Sequence, residues 1–154
     1  MESIQHNIQE VVLHYKQPRT EDMPKILKSK DAEEVMRKVI DPNRIDHKEF
    51  FWVILINRSN SVLGVSRISE GTTSGTLVNI REIFQLVIKS NAMSIVLCHN
   101  HPSGNLKPSQ ADLSLTRKIK ECGQLFEVTV VDHIILTSDG YYSFVDEGML
   151  SSLG

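Results

Sequence analysis

Residues 94–122 read SIVLCHNHPSGNLKPSQADLSLTRKIKEC, and a change of period inside this stretch decides the fold. SIVLC is a short apolar run with β-branched residues, the composition of a buried strand. Pro102, Gly104 and Pro108 then interrupt regular structure and permit a sharp reversal. From Ser109 the apolar spacing becomes helical, and Gly123 stands where a helix usually stops. A buried strand that leads into a helix is the building unit of an α/β protein, and the flanking sequence extends it in both directions.

Upstream, Asn79 begins NIREIFQLVIKS, where Asn79 as cap and Glu82 three residues on predict a helix of about ten residues. FFWVILI (50–56) and SVLGVSRI (61–68) flank the polar turn Asn57-Arg58-Ser59-Asn60 and predict two antiparallel strands, the first apolar enough to be central. SKDAEEVMRKVI carries acids early, bases late and apolar residues at Val35, Met36, Val39 and Ile40, which predicts a helix over 30–40. Downstream, VTVVDHIILT (128–137) predicts a strand broken near Asp132. Asp139-Gly140 makes a turn, and YYSF a last short strand. The expected architecture is an α/β mixed sheet flanked by helices. Residues 1–28, with Val11-Val12-Leu13 and prolines at 18 and 24, read as an N-terminal arm, a strand or extended segment followed by a loop. Residues 29–154 are left as one domain.

Composition narrows the function classes. A hydrophobic fraction of 40% supplies a core for one domain, and 23% charged residues exclude a disordered or membrane-embedded chain. No apolar run approaches the roughly 20 residues that span a bilayer, and MESIQHNIQE lacks the basic and apolar segments of a secretory signal. The expected location is therefore cytoplasmic, without a membrane partner. Seventeen basic against nineteen acidic residues give a formal charge of -2, so no positive field gathers nucleic acid, and charge does not support such a partner. Cys98 and Cys122 form no Cys-x-x-Cys pair and read as free thiols, with a single disulfide between them as the alternative.

The chemistry lies in the loop after SIVLC. Side chains two apart on an extended chain point the same way, so His99 and His101 can aim at one point. A tetrahedral catalytic zinc takes three ligands from His and carboxylate and leaves the fourth position to water. Asp112, in the first turn of the next helix, can return to the histidine pair and complete the set. The bland reading stands beside this one: Ser109-Gln110-Ala111-Asp112 is a capping box, and capping and ligation can coexist. His6, His14 and His47 lack partners at ligand spacing. A nucleobase deaminase needs His-x-Glu and Pro-Cys-x-x-Cys, which are missing, and an amidohydrolase barrel needs about 250 residues.

The run His99-Asn100-His101-Pro102, with seven residues between His101 and a Ser and two more before an Asp, resembles the metalloprotease signature of the JAB/MPN (JAMM) superfamily. With NIREIF, Thr116, VVDHIIL and YYSF, the stretch from about residue 45 to 150 is similar to the RadC-like branch. Longer RadC proteins carry a helix-hairpin-helix region first, for which residues 1–40 show no counterpart. The resemblance implies a JAB/MPN (cytidine-deaminase-like) fold and one zinc held by His99, His101 and Asp112. It further implies a Ser109 hydroxyl that helps hold the oxyanion and an upstream Glu as acid/base, with zinc-bound water attacking a peptide, isopeptide or other amide. Candidates for the Glu are Glu49, Glu70 and Glu82. Glu49, just before FWVILI, occupies the place the superfamily uses, whereas Glu82 is explained as the capping partner of Asn79 and Glu70 as a loop residue. Asp132-His133 is a candidate to orient a ligand, but a strand histidine is more often structural, so His133 is kept outside the site. The alternative function is a non-catalytic RadC-like binding module associated with DNA repair or mobile-element functions.

Overall fold

The computed structural model describes residues 8–17, 22–71 and 77–154. In chain order the elements are α1 (Ser29–Val39), β1 (Phe50–Ile56), β2 (Val62–Glu70), α2 (Ile80–Ser90), β3 (Ser94–Asn100), α3 (Gln110–Leu125), β4 (Thr129–Leu136), β5 (Tyr141–Ser143) and the short α4 (Met149–Ser152). The strands form one sheet in the order β2-β1-β3-β4-β5. β1 is antiparallel to both β2 and β3, β3 and β4 run parallel, and β5 returns antiparallel to β4. The expected mixed α/β sheet is thus present, with the SIVLC strand at its centre.

Strand alternation divides the core into two apolar layers. Phe51, Val53 and Leu55 of β1, Ile95 and Leu97 of β3 and Ile135 of β4 pack with Ile83, Phe84 and Val87 of α2 and Ile119 of α3. On the opposite face, Ile54, Ile56, Val96, Cys98, Ile134 and Leu136 meet Ala32, Val35 and Met36 of α1. Cys98 and Cys122 belong to different faces and are both free, which eliminates the disulfide. Burial in the apolar layer pushes the Cys98 thiol far above the usual range, so it behaves as a small hydrophobe.

The helix starts follow the sequence. Asn79 Oδ1 accepts the Glu82 N–H at 3.2 Å, and Ser109 Oγ accepts the Asp112 N–H at 3.1 Å. The expected end of α3 is corrected. The helix runs through Gly123 to Leu125, and the glycine serves a close approach instead: a Cβ there would lie 2.5 Å from the Val128 carbonyl oxygen. The Val128 N–H donates to the Gly123 carbonyl at 2.8 Å, which ties the helix end to the chain entering β4.

The expected break near Asp132 takes the form of a β-bulge. Ile95 pairs with Val130 and Val96 with Asp132, so Val131 is an extra residue in β4. The insertion reverses the alternation beyond it: Asp132 faces the α1 side, and His133 turns to the α3 side.

Within the N-terminal arm, residues 8–17 form no helix or strand, and Val11 and Leu13 are exposed. Lys25 makes a single antiparallel bridge to Ser61 at the start of β2. No helix among the described residues is long and apolar enough to cross a membrane. Gly123→Ala is expected to lower stability by about 1–3 kcal/mol, since overpacking against a backbone oxygen outweighs the helix propensity gained; urea denaturation measures it.

Candidate metal centre

The central strand ends where its side chains meet α3. His99 lies on the face shared by Ile95 and Leu97, opposite Phe51 of β1, whose ring stacks on it at 5.9 Å. His101 follows two residues later on the same side. Its Nδ1–H donates to the Asn105 carbonyl at 2.6 Å, since a carbonyl can only accept. That bond turns the Nε2 lone pair of a neutral His101 towards His99. The loop through Gly104, at a φ of 82°, then brings back the start of α3.

Three atoms consequently converge. His99 Nε2 lies 2.9 Å from His101 Nε2, and Asp112 Oδ2 lies 3.3 Å from the first and 3.2 Å from the second. A tetrahedral zinc at about 2.0–2.1 Å from its ligands spaces them about 3.3 Å apart. The triangle therefore has the size and the donor chemistry of a three-ligand zinc site. Glu49 stands one step back, its Oε1 3.8 Å from His99 Nε2 and 4.0 Å from His101 Nε2. All four groups offer atoms within 4.8 Å of one another.

The electrostatics fit a position that needs a cation. Burial alone would raise the Asp112 pKa, but hydrogen bonding to His101 and His99 holds it well below the usual carboxylate range. Burial likewise opposes a charge on His101, yet the Asp112 carboxylate and the Asn105 carbonyl outweigh it and raise the pKa. Asp112 also closes the capping box: the same Oδ2 accepts the Ser109 N–H at 2.9 Å. Capping and convergence on the histidines coexist in one oxygen. Ser109 Oγ accepts from Asp112, which leaves its own hydrogen available to a group in the cleft. The cleft holds about 950 Å³ and is lined by the four cluster residues together with Ser109, Phe51, Val78 and Leu115.

A family model described as a RadC-like JAB domain matches residues 26–149. The chain belongs to this family. A relative from Flavobacterium johnsoniae, called only "UPF0758 protein", is 46% identical over 134 residues, which covers 85% of this chain and 57% of the relative. A UPF0758 protein of Clostridium acetobutylicum is 36% identical over 141 residues, 92% of this chain and 60% of the relative. Another, from Clostridium kluyveri, is 40% identical over 112 residues, 73% and 49%. The chain thus spans between 49% and 60% of the length of these three relatives.

In this RadC-like domain the structure brings Glu49, His99, His101 and Asp112 together and separates the other candidates. Glu70 ends β2 and receives Arg44 at 2.9 Å and Lys48 at 3.0 Å. Glu82 sits in the first turn of α2, bonded to its cap. His14 and His47 are exposed, His47 on the rim of the cleft; His6 lies outside the described residues.

Three buried residues were missed or misplaced by the sequence reading. His133, set outside the site, touches it: its Nε2 lies 2.7 Å from His99 Nδ1, and its Nδ1 lies 2.6 Å from Thr116 Oγ1. Asp132 does not orient a ligand. Its carboxylate accepts the Ser143 hydroxyl at 2.6 Å and the N–H of Val145 at 3.1 Å, which ties β5 to β4. Asn100, between the two histidines and fully buried, points to the opposite face. It donates to the carbonyls of Ile45 at 2.8 Å and Lys48 at 2.7 Å and accepts the Phe50 N–H at 2.8 Å. These bonds hold both sides of Glu49 in place.

Asn100→Asp is expected to destabilise the domain by about 2–5 kcal/mol, because a buried charge replaces two donors and faces two carbonyls. Chemical denaturation of the variant against the wild type reads this cost.

Proposed function

We propose that this domain is a zinc-dependent hydrolase of amide bonds, peptide or isopeptide, with His99, His101 and Asp112 as ligands. The observation that carries the reading is the triangle of two imidazole nitrogens and one carboxylate oxygen with edges of 2.9–3.3 Å, backed by a second carboxylate at 3.8–4.0 Å. Two neutral imidazoles and one carboxylate would leave a bound zinc ion net positive. A zinc ion bound there supplies Lewis acidity, which acidifies a water and polarises a carbonyl oxygen.

The chain's own groups do the rest. Glu49 is too far from the histidine nitrogens to share the triangle, yet close enough to take a proton from a water beside it. The same carboxyl then returns the proton to the leaving amine, as acid/base catalysis in both directions requires. The free hydrogen of Ser109 Oγ donates to the oxygen on which negative charge develops. Phe51, Val78 and Leu115 line an apolar wall that limits water around the reacting carbonyl. The formal charge of -2 supplies no positive field to gather nucleic acid.

Metal analysis of the purified protein should find about one zinc per chain, lost in His99→Ala. Glu49→Gln should keep the metal and lose about 10²–10⁴-fold in hydrolysis of a cleavable peptide from a library screen. A chain that binds zinc but cleaves nothing, with Glu49→Gln unchanged in partner affinity, would point instead to a binding module.

Zinc affinity should also depend on pH with a defined sign. His101 holds its proton above the usual imidazole pKa of 6.5, and a ligand must lose that proton to bind. Affinity is therefore highest well above pH 6.5 and falls on acidification, by about tenfold per pH unit for each proton displaced. Competition against a chelator of known affinity between pH 8 and 6 measures the slope.

A further inference from the structure

We propose that Thr116 and His133 form a hydrogen-bonded relay that fixes His99 in the one tautomer able to ligate a metal, making Thr116 a positioning residue for a centre it never touches. The inference rests on the zinc reading above and follows from counting hydrogens along the chain of contacts. Thr116 Oγ1 lies 2.6 Å from the Asp112 backbone carbonyl, one turn back in α3. A carbonyl cannot donate, so the single hydroxyl hydrogen of Thr116 is spent on that bond.

Thr116 Oγ1 is also 2.6 Å from His133 Nδ1. Because the hydroxyl hydrogen is already committed, His133 must be the donor, and its proton sits on Nδ1. A neutral His133 then presents a lone pair at Nε2, which lies 2.7 Å from His99 Nδ1. The donor across that contact is His99 Nδ1–H. This leaves the lone pair of His99 on Nε2, the atom that faces Asp112 Oδ2 and His101 Nε2. The hydroxyl thus determines, two hydrogen bonds away, which nitrogen of His99 is open.

The surroundings keep the relay in register. Thr116 and His133 are both fully buried. The His133 ring stacks on Phe144 at 4.5 Å and meets Phe51 edge-on at 5.7 Å. The chain of bonds also closes on itself: it begins at the backbone of Asp112, whose carboxylate shares the centre with His99. Two proposed ligands from different elements, α3 and β3, are thereby tied together behind the metal position. A merely packing role for Thr116 would be met equally by valine, which has nearly the same shape and no hydroxyl.

The test compares Thr116→Val with Thr116→Ser. In the valine variant His133 loses its acceptor, its proton moves to Nε2, and His99 must receive that bond at Nδ1. The proton of His99 then occupies Nε2 and obstructs the metal. Zinc affinity, measured by chelator competition, is expected to fall about 10–100-fold in Thr116→Val and to stay near wild type in Thr116→Ser. Nitrogen-15 NMR of the metal-free wild type should show His99 and His133 both protonated at Nδ1, and the valine variant should show His99 protonated at Nε2. Equal zinc affinity in wild type and Thr116→Val overturns the relay, as does a wild-type spectrum with the His133 proton on Nε2. The spectrum needs only wild-type protein, so it decides even where the valine variant fails to fold. A wild type that binds no zinc overturns the metal centre, and is distinguished from failure of the relay because the tautomers are read without metal.

Discussion

Three lone-pair donors that converge on one point set the terms for the rest of this molecule. Two imidazole nitrogens and a carboxylate oxygen approach one another within 2.9–3.3 Å, a distance at which they repel unless a positive charge stands between them. Bringing them together costs stability where no cation neutralises them, and a proton held by His101 offsets part of it. The surrounding bonds hold this arrangement against its own repulsion. Asn105 and His133 anchor the far sides of the two rings, Ser109 anchors Asp112, and Asn100 anchors the segment that carries Glu49.

The topology supplies a place for such a cluster. Where a strand leads through a loop into a helix and returns as a parallel neighbour, the carboxyl end of the first strand opens on a crevice, the usual location of ligand sites in α/β sheets. β3 is that strand, and α3 is the helix that returns to β4. Because β1 lies on the other side of β3 and runs antiparallel to it, its amino end reaches the same edge. Glu49 comes from far back in the chain and arrives beside His99 for this reason, at the entrance to β1.

Much of this was legible in the sequence. Apolar runs, helical spacing and capping residues placed α1, β1, β2, α2 and β3, and the spacing from His99 to Asp112 brought out the three convergent side chains. Glu49 was singled out through the family resemblance, which puts the acid before the first core strand, and Glu82 was set aside by the cap at Asn79. The remainder depends on tertiary geometry. Gly123 reads as a terminator because glycine often is one, and only the backbone of Val128 against its missing side chain reveals the other purpose. Asn100 reads as the spacer between two histidines, although its own side chain looks to the opposite face. His133 was set aside since strand histidines are commonly structural, and the bulge that decides its direction falls at an ordinary valine, Val131.

That valine has a consequence for how such a chain can change. Strand geometry is a parity code: were Val131 to take a ladder place opposite Val96, the apolar content of β4 would be unchanged and the faces of Asp132 and His133 would still be exchanged. The imidazole would come to lie beneath α1, and a carboxylate would be buried against Phe51 and Phe144 in its place. Substitutions along β4 can be absorbed one at a time, and loss of Val131 would only straighten the ladder, whereas closing the bulge around the extra residue turns every side chain beyond it to the wrong face.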